Sequence, residues 1–244
     1  MYFSTDGILG TPLAVSSTFI FAFLLFGAFL VKTGVGEYFN DLAISIAGKL
    51  VGGPAKVAIF SSALQGTISG SSVANVVTSG SYTIPMMKRL GYNKNFAGAV
   101  EASASTGGQL MPPIMGAAAF LMVEFIGRGV TYWDIAKAAA IPALLYFAGI
   151  WIMTHFEAKR LGLRGLTDEE MPDRSNVLKK IYLLVPIALI IVLMMSGIPV
   201  IHSALYGIIA CIIVGFINPD VKFGFKEIID GLVDGARSAL AVAA

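Results

Sequence analysis

The chain has 244 residues, of which 56% are apolar and 13% charged, with a mean hydropathy of +0.79. Soluble domains carry about a quarter charged residues, so this balance excludes an ordinary soluble enzyme or binding module and makes lipid the solvent. A formal net charge of +2 is too small to imply a nucleic-acid partner; the useful signal is where the positive charges sit.

The first apolar run, 12–31, is long enough for a bilayer that needs about 20 residues. No basic stretch precedes it, so it reads as a span and not as a cleaved leader. Asn40 to Gly53 places Leu42, Ile46 and Leu50 at spacing four, with Asp41 and Lys49 elsewhere on the wheel, which predicts a helix lying in the interface. Further apolar stretches fall at 57–87, 96–123, 133–154, 181–197 and 200–217. Another, from about 226 to 244, stops without a polar closure, as expected of a piece of a longer protein. Barrel strands need only about 10 residues, and in lipid only helices or closed barrels satisfy the backbone. The expected fold class is therefore all-α integral membrane, with about five spanning helices, one re-entrant helical hairpin and an interfacial helix. The chain divides into 1–56, a scaffold span and interfacial arm, 57–123, the hairpin and a broken helix, and 124–244, the remaining spans with a linker at 157–180. Cys211, alone in its kind, lies in an apolar run and reads as a small core residue.

Positive charge sets the orientation. If 57–87 crosses the bilayer once, Lys32, Lys49, Lys56, Arg128 and Lys137 fall on one side against eleven basic residues on the other. If it enters and returns on one face, only Arg128 and Lys137 lie outside, Arg237 stays within a helix, and the remaining fourteen lie inside. The positive-inside rule favours the second arrangement. The stretch 57–87 is then a re-entrant hairpin opening to the cytoplasm, with Lys88, Arg89 and Lys94 just past its exit. The same count puts the N-terminus outside and the linker, with six basic and five acidic residues, in the cytoplasm. Within it Thr167-Asp-Glu-Glu170 has the form of a capping box, cut short by Pro172. A solvated linker is the expected role.

Two segments carry chemistry. The hairpin tip reads Gln65-Gly-Thr-Ile-Ser-Gly-Ser-Ser-Val-Ala-Asn75. Freed backbone carbonyls at membrane depth suit a desolvated sodium ion, and a Ser-Gly-Ser-Ser turn supplies both the break and oxygen ligands. Close packing through Gly66-x-x-x-Gly70 explains the same residues without a ligand. A second break follows in Glu101-Ala-Ser-Ala-Ser-Thr-Gly-Gly-Gln-Leu-Met-Pro-Pro113, where two glycines and two prolines within seven positions oppose a helix. Paired breaks in neighbouring segments point to the binding site of secondary transporters, with helix N-termini toward an anionic substrate and carbonyls toward the cation.

Glu101 is the acidic residue nearest both breaks. Its short distance from Lys94 puts the interface within reach, so a solvated or structural role is expected. His155 and His202 stand at segment ends as interfacial residues. A serine hydrolase built on Gly66-Thr-Ile-Ser-Gly70 would need a base beside the serine, and neither histidine is an obvious partner. No Gly-x-x-x-x-Gly-Lys motif is present, so the chain does not itself hydrolyse ATP. The chain is not read as an enzyme, and no cofactor is expected.

At Ile68-Ser-Gly-Ser-Ser-Val-Ala-Asn-Val-Val77, Ile84-Pro-Met-Met-Lys-Arg-Leu-Gly-Tyr92, Phe96-Ala-Gly-Ala-Val-Glu-Ala102 and Ser105-Thr-Gly-Gly-Gln-Leu-Met-Pro-Pro-Ile-Met-Gly-Ala117, the chain resembles the large membrane subunit of tripartite ATP-independent periplasmic (TRAP) transporters. It is most similar to the branch whose small and large membrane subunits are fused, which Glu157-Ala-Lys-Arg-Leu-Gly-Leu-Arg-Gly165 also resembles. The resemblance implies an inverted-repeat, elevator-type permease of the bacterial or archaeal inner membrane. It implies sodium-driven import of organic acids, among them dicarboxylates, delivered by a periplasmic substrate-binding protein, and a small membrane subunit or its fused equivalent as partner. By the same resemblance sodium would be the coupling ion, held by Ser69, Gly70, Ser71, Asn75, Thr106 and Gly107, and Ser71, Ser72, Asn75, Gly108, Gln109 and Pro112 would form one wall of the substrate site. The second hairpin of that family is missing from this length. A one-component sodium and anion symporter and a non-transporting membrane scaffold are the alternatives.

Overall fold

The computed structural model of the protein describes residues 10–127 and 129–243. Helix α1 is Leu13–Lys32, wound as a π-helix over Ser16–Ile20. Val35–Ala47 forms α2, Gly53–Ser69 α3, Ser72–Leu90 α4 and Lys94–Gly107 α5. After a 3-10 turn at Gly108–Leu110 come α6 at Ala117–Ile126 and α7 at Tyr132–Arg160. The short Arg174–Lys179 is α8, followed by α9 at Val185–Met195, α10 at Val200–Ile217 and α11 at Phe225–Ala243. No strand occurs among the described residues, as the run lengths require.

Helices α1, α7 and α10 are each long and apolar enough to cross a membrane, and the bent pair Asp168–Lys179 with Ile181–Met195 makes a fourth if it is one span. Helices α5 and α6 are the halves of the expected broken segment, with the unwound stretch between them. Helix α11 departs from expectation: Lys226, Glu227, Asp230, Asp234 and Arg237 lie along it, and charges at that density are costly at bilayer depth. It is amphipathic, and among the described residues it is not one of the helices long and apolar enough to cross a membrane. Along α7, Ile141, Leu144, Leu145 and Met153 are 63 to 73% exposed, a burden in water that lipid removes.

The described residues fall into two compact units, neither continuous in sequence. The first comes from Met1–Val35, Gly116–Lys137 and Tyr182–Ala244. Its core is an aromatic chain in which Phe23 meets Phe120 at 5.3 Å between ring centroids and Phe120 meets Tyr132 at 4.4 Å. Lys32 pairs with Asp234 at 2.8 Å, and the Asn218 side chain donates to the Thr33 carbonyl at 2.8 Å, closing the end of α1. A cavity of about 520 Å³ in this unit, lined by Phe120, Tyr132 and Met194 among others, contains none of the residues singled out from the sequence.

The second unit comes from Gly36–Met115 and Ala138–Ile181 and carries both breaks. Helices α3, α4 and α5 pack around Ala55, Ala58, Ile59, Met87, Ala97, Val100 and Ala104, all buried. So many alanines bring the backbones close, as small residues do between membrane helices. The arm helix is α2. It begins at Val35, earlier than the expected Asn40, and ends at Ala47. It turns Ala43, Ile44 and Ala47 toward Val57 and Met86, while Ile46 is 53% exposed. The stripe at Leu42, Ile46 and Leu50 is thus not the protein-facing side; a stripe of alanines and one isoleucine is. In the linker, Thr167 and Glu170 form the expected capping box over a single 3-10 turn. The linker is exposed but tethered: Leu166 N–H donates to the Gly48 carbonyl at 2.8 Å, and Lys49 pairs with Asp168.

Candidate functional site

The tip of the hairpin is tighter than its composition suggests. Only Gly70 and Ser71 are outside helix, and α4 runs past Lys88 and Arg89 to Leu90, so those two basic residues belong to the hairpin and not to its exit. Gly70 takes the left-handed conformation, φ +56°, which costs glycine nothing and a side chain about 1 kcal/mol or more. Its N–H bonds the Gly66 carbonyl at 3.3 Å and ends α3. Ser71 caps α4, its hydroxyl accepting from Ala74 N–H at 3.4 Å. The turn therefore sets the carbonyl end of α3 beside the N–H end of α4. The first end favours a cation and the second an anion, through unpaired groups and the helix dipole.

The second break lies against this hairpin. A Cβ at Gly66 would sit 2.3 Å from Gly108 Cα, and one at Gly108 would sit 2.7 Å from Asn75 Nδ2. Two backbone segments and the Asn75 amide meet there with no room for a methyl group. Asn75, 1% exposed, donates from Nδ2 to the Ser62 carbonyl at 2.8 Å. Gln109 reaches across from the break to donate to Ser72 Oγ at 3.2 Å.

The structure brings some of the expected residues into contact and leaves others apart. Asn75 and Gly108 touch, as do Ser72 and Gln109. Ser69 and Ser71 share a weak contact, Ser71 N–H to Ser69 Oγ at 3.4 Å. The Thr106 hydroxyl instead donates to the Ala102 carbonyl of its own helix at 2.8 Å. Gly107 packs against Tyr146 and Phe147 of α7, where a Cβ would come within 2.5 Å of the Tyr146 ring. Pro112 is half-buried just beyond the 3-10 turn. His155 Nδ1 lies 3.0 Å from Lys56 Nζ, and Lys56 also stands 5.3 Å from the Trp151 ring centre, so this histidine is occupied at the foot of the hairpin.

Sequence reasoning missed a polar interior behind the tip. Glu101 is wholly buried, 0% exposed, which corrects the solvated alternative for it. Its carboxyl group accepts from Ser62 Oγ at 3.2 Å and Ser105 Oγ at 3.1 Å, and also from the hydroxyls of Ser79 and Thr83. A second set ties α2 to α3: Gln65 Nε2 donates to Asn40 Oδ1 at 3.1 Å, and Ser61 donates to the same oxygen. The available signal was hydroxyl or amide residues four apart, Ser61 with Gln65 and Ser79 with Thr83. Among the described residues no group of three or more His, Cys, Asp or Glu side chains could hold a metal ion. The oxygens at the tip are hydroxyls, amide and backbone carbonyls, hard donors that fit an alkali cation.

Residues 5–244 match the model of the family described as the tripartite ATP-independent periplasmic transporter, DctM component. The chain is 28% identical over 170 residues to the sialic acid TRAP transporter large permease protein of Vibrio cholerae, covering 69% of this chain and 39% of that protein. It is 32% identical over 140 residues to the C4-dicarboxylate TRAP transporter large permease protein of Pseudomonas aeruginosa, covering 56% and 31%. It is 29% identical over 153 residues to the isethionate TRAP transporter permease protein of Oleidesulfovibrio alaskensis, covering 63% and 23%. The matched region thus spans less than half the length of each of these relatives. This is a family of transporter permeases, which is not an enzyme class. With that match over nearly its whole length, and with its apolar helices, the chain belongs to the large permease family of TRAP transporters and is a multi-pass integral membrane protein.

Proposed function

We propose that this chain supplies the first, cytoplasm-opening hairpin and its facing break to a sodium-coupled permease of the inner membrane, which imports organic acids handed over by a periplasmic binding protein. Its partner is a small membrane subunit or a fused equivalent. One observation carries the reading: the carbonyl end of α3 and the capped N–H end of α4 converge on the Gly108 break, packed so closely that a Cβ at Gly66 would lie 2.3 Å from Gly108 Cα. Unwound backbone at membrane depth is tolerated where it lines a polar cavity, and this arrangement pairs a cation-favouring end with an anion-favouring one. Sodium is assigned to the oxygens of Ser69, Gly70, Ser71 and Asn75, with Thr106 and Gly107 completing the set. The substrate carboxylate is assigned to the N–H end of α4 and to Ser72, Gly108 and Gln109, with Ser71, Asn75 and Pro112 on the same wall. The relatives named for sialic acid, C4-dicarboxylates and isethionate all carry anionic solutes, which supports an organic acid here.

The test is uptake by the intact gene product in proteoliposomes with its binding protein, titrated with sodium. Ser71→Ala and Asn75→Ala are expected to raise the sodium concentration for half-maximal uptake while expression changes far less. An unchanged sodium half-saturation in both variants would reject the ion site and leave a packing role for these residues.

A further inference from the structure

Glu101 is a buried carboxyl group that the proposed ion site does not use, and it is placed to control that site. Its two oxygens receive hydroxyls from three helices: Ser62 on α3, Ser79 and Thr83 on α4, and Ser105 on α5 itself. Ser62, Ser79 and Ser105 are set toward Oε1 and Thr83 toward Oε2. Space is reserved for it: a Cβ at Gly80 would come 2.9 Å from Glu101 Cγ, so any larger residue there would push the side chain away. Among the described residues no lysine, arginine or histidine pairs with this carboxyl group.

From this hub two routes lead to the breaks. On the hairpin side, Ser62 and Ser79 flank Asn75. The Ser62 carbonyl accepts from Asn75 Nδ2 at 2.8 Å, and Ser79 Oγ lies 3.3 Å from Asn75 Oδ1 and 2.8 Å from the Asn75 carbonyl. The Asn75 amide therefore lies between Ser62, whose backbone carbonyl holds Nδ2, and Ser79, whose hydroxyl is shared between Asn75 and Glu101. On the other side, Ser105 joins the hub one residue before Thr106 and Gly107, where α5 ends. A hydroxyl has one proton, so Ser79 and Ser62 can serve Glu101 or their other acceptors, and the carboxyl group decides which.

We infer that Glu101 is a positioning residue for the sodium site proposed above: by gathering the hydroxyls of Ser62, Ser79, Thr83 and Ser105 it fixes the Asn75 amide and the end of α5 in the geometry that receives the ion. This inference rests on the sodium assignment at the hairpin tip. It predicts a specific defect, because loosening the hub displaces ligands without removing any of them.

The experiment compares Glu101→Gln, Ser105→Ala, Ser71→Ala and wild type in the full-length protein, measuring uptake against sodium and, at saturating sodium, against loaded binding protein. Glu101→Gln keeps the size and one accepting oxygen but replaces the other with a donor. It is expected to raise the sodium half-saturation by about three- to tenfold, the effect of one or two disturbed charge-assisted hydrogen bonds. The half-saturation for loaded binding protein should stay near wild type. Ser105→Ala should move sodium the same way by less, and the double variant should shift less than the product of the two, because both act on one network. If Glu101→Gln lowers the amount of folded protein, Ser105→Ala carries the same comparison alone. A residue that only holds helices together would reduce folded protein and maximal rate and leave the sodium half-saturation in place, which overturns the inference. If Ser71→Ala shifts sodium but Glu101→Gln and Ser105→Ala do not, the ion site stands and the positioning role falls. If none shifts, the ion site falls and the inference with it.

Discussion

Replacing Gly66 by alanine tests the convergence of the two breaks with a single methyl group. In the native packing the new Cβ would lie 2.3 Å from Gly108 Cα, 2.9 Å from its carbonyl oxygen and 3.0 Å from its carbonyl carbon. Carbon atoms rest at about 3.5 Å or more, so the backbones must part by about 1.2 Å at the closest pair. The atoms met are backbone, with no flexible side chain to swing aside. Overpacking of this kind costs about 1–3 kcal/mol, against a gain of about 0.5–1 kcal/mol from removing a glycine within a helix. The net is destabilisation by up to about 2.5 kcal/mol, with the tip moved off the break. Gly98→Ala is the control, since it lies within α5 and its Cβ would meet nothing within 4 Å. Thermal unfolding in detergent should place Gly66→Ala below wild type and Gly98→Ala at or slightly above it, and sodium-driven uptake should fall only for Gly66→Ala. A Gly66→Ala protein as stable and active as wild type would refute the close approach.

Breaking the contact between Gln109 and Ser72, 3.2 Å long, by Gln109→Ala should weaken uptake at low substrate while stability changes by under about 1 kcal/mol, because the bond is exposed. The linker should loosen in acid. Lys49 beside Asp168, and Thr167 N–H bonded to Glu170, hold both carboxyl groups below their ordinary values, so their contributions are present above about pH 4 and are lost as pH falls through the lowered values. Pepsin cleavage within 157–180 should therefore rise below about pH 4, and Asp168→Asn should raise it already at milder pH; equal cleavage in both proteins would refute the tether. Cysteines introduced at Asn93 and Asn176 should label from the cytoplasm and one at Gly129 from the periplasm, over a low background because Cys211 is buried. Labelling of Asn93 and Asn176 from opposite sides would sink the re-entrant hairpin.

What the sequence revealed and what it hid divide along the range of the interactions. Ser-Gly-Ser-Ser announced its turn because each residue acts locally: Gly70 takes a backbone angle that suits only glycine, and Ser71 caps the helix that starts beside it. The double glycine and double proline between α5 and α6 act equally locally, and the capping box at Thr167 formed as written. The partners of Glu101 lie 39, 22 and 18 positions away, and no periodicity reports a tertiary pairing of that kind. Distance along the helix suggested that Glu101 reached the interface, whereas three packed helices bury it. In the arm helix the stripe at spacing four was legible, but the face that meets the hairpin, Ala43, Ile44 and Ala47, was not, because small alanines give no periodic signal of their own. Helix α11 reads as apolar from its last residues, whereas Lys226, Glu227, Asp230, Asp234 and Arg237 spread along it make it amphipathic.

The contacts at the break also bear on how such a hairpin can move. For the tip to swing away alone, Asn75 would have to leave the Ser62 carbonyl, Gln109 would have to leave Ser72, and the Gly66 and Gly108 backbones would have to separate. Losing the buried Asn75 bond leaves polar groups without partners, at about 1–3 kcal/mol for each one left unsatisfied, while the exposed bond of Gln109 to Ser72 adds less. Helices α3, α4 and α5 are further joined through the carboxyl group of Glu101, which must give up hydroxyls from α3 and α4 before the hairpin can part from α5. Moving all three helices together breaks none of these contacts. The cheaper motion is therefore one in which hairpin and break travel as a body, which keeps the proposed ion-binding oxygens in register throughout.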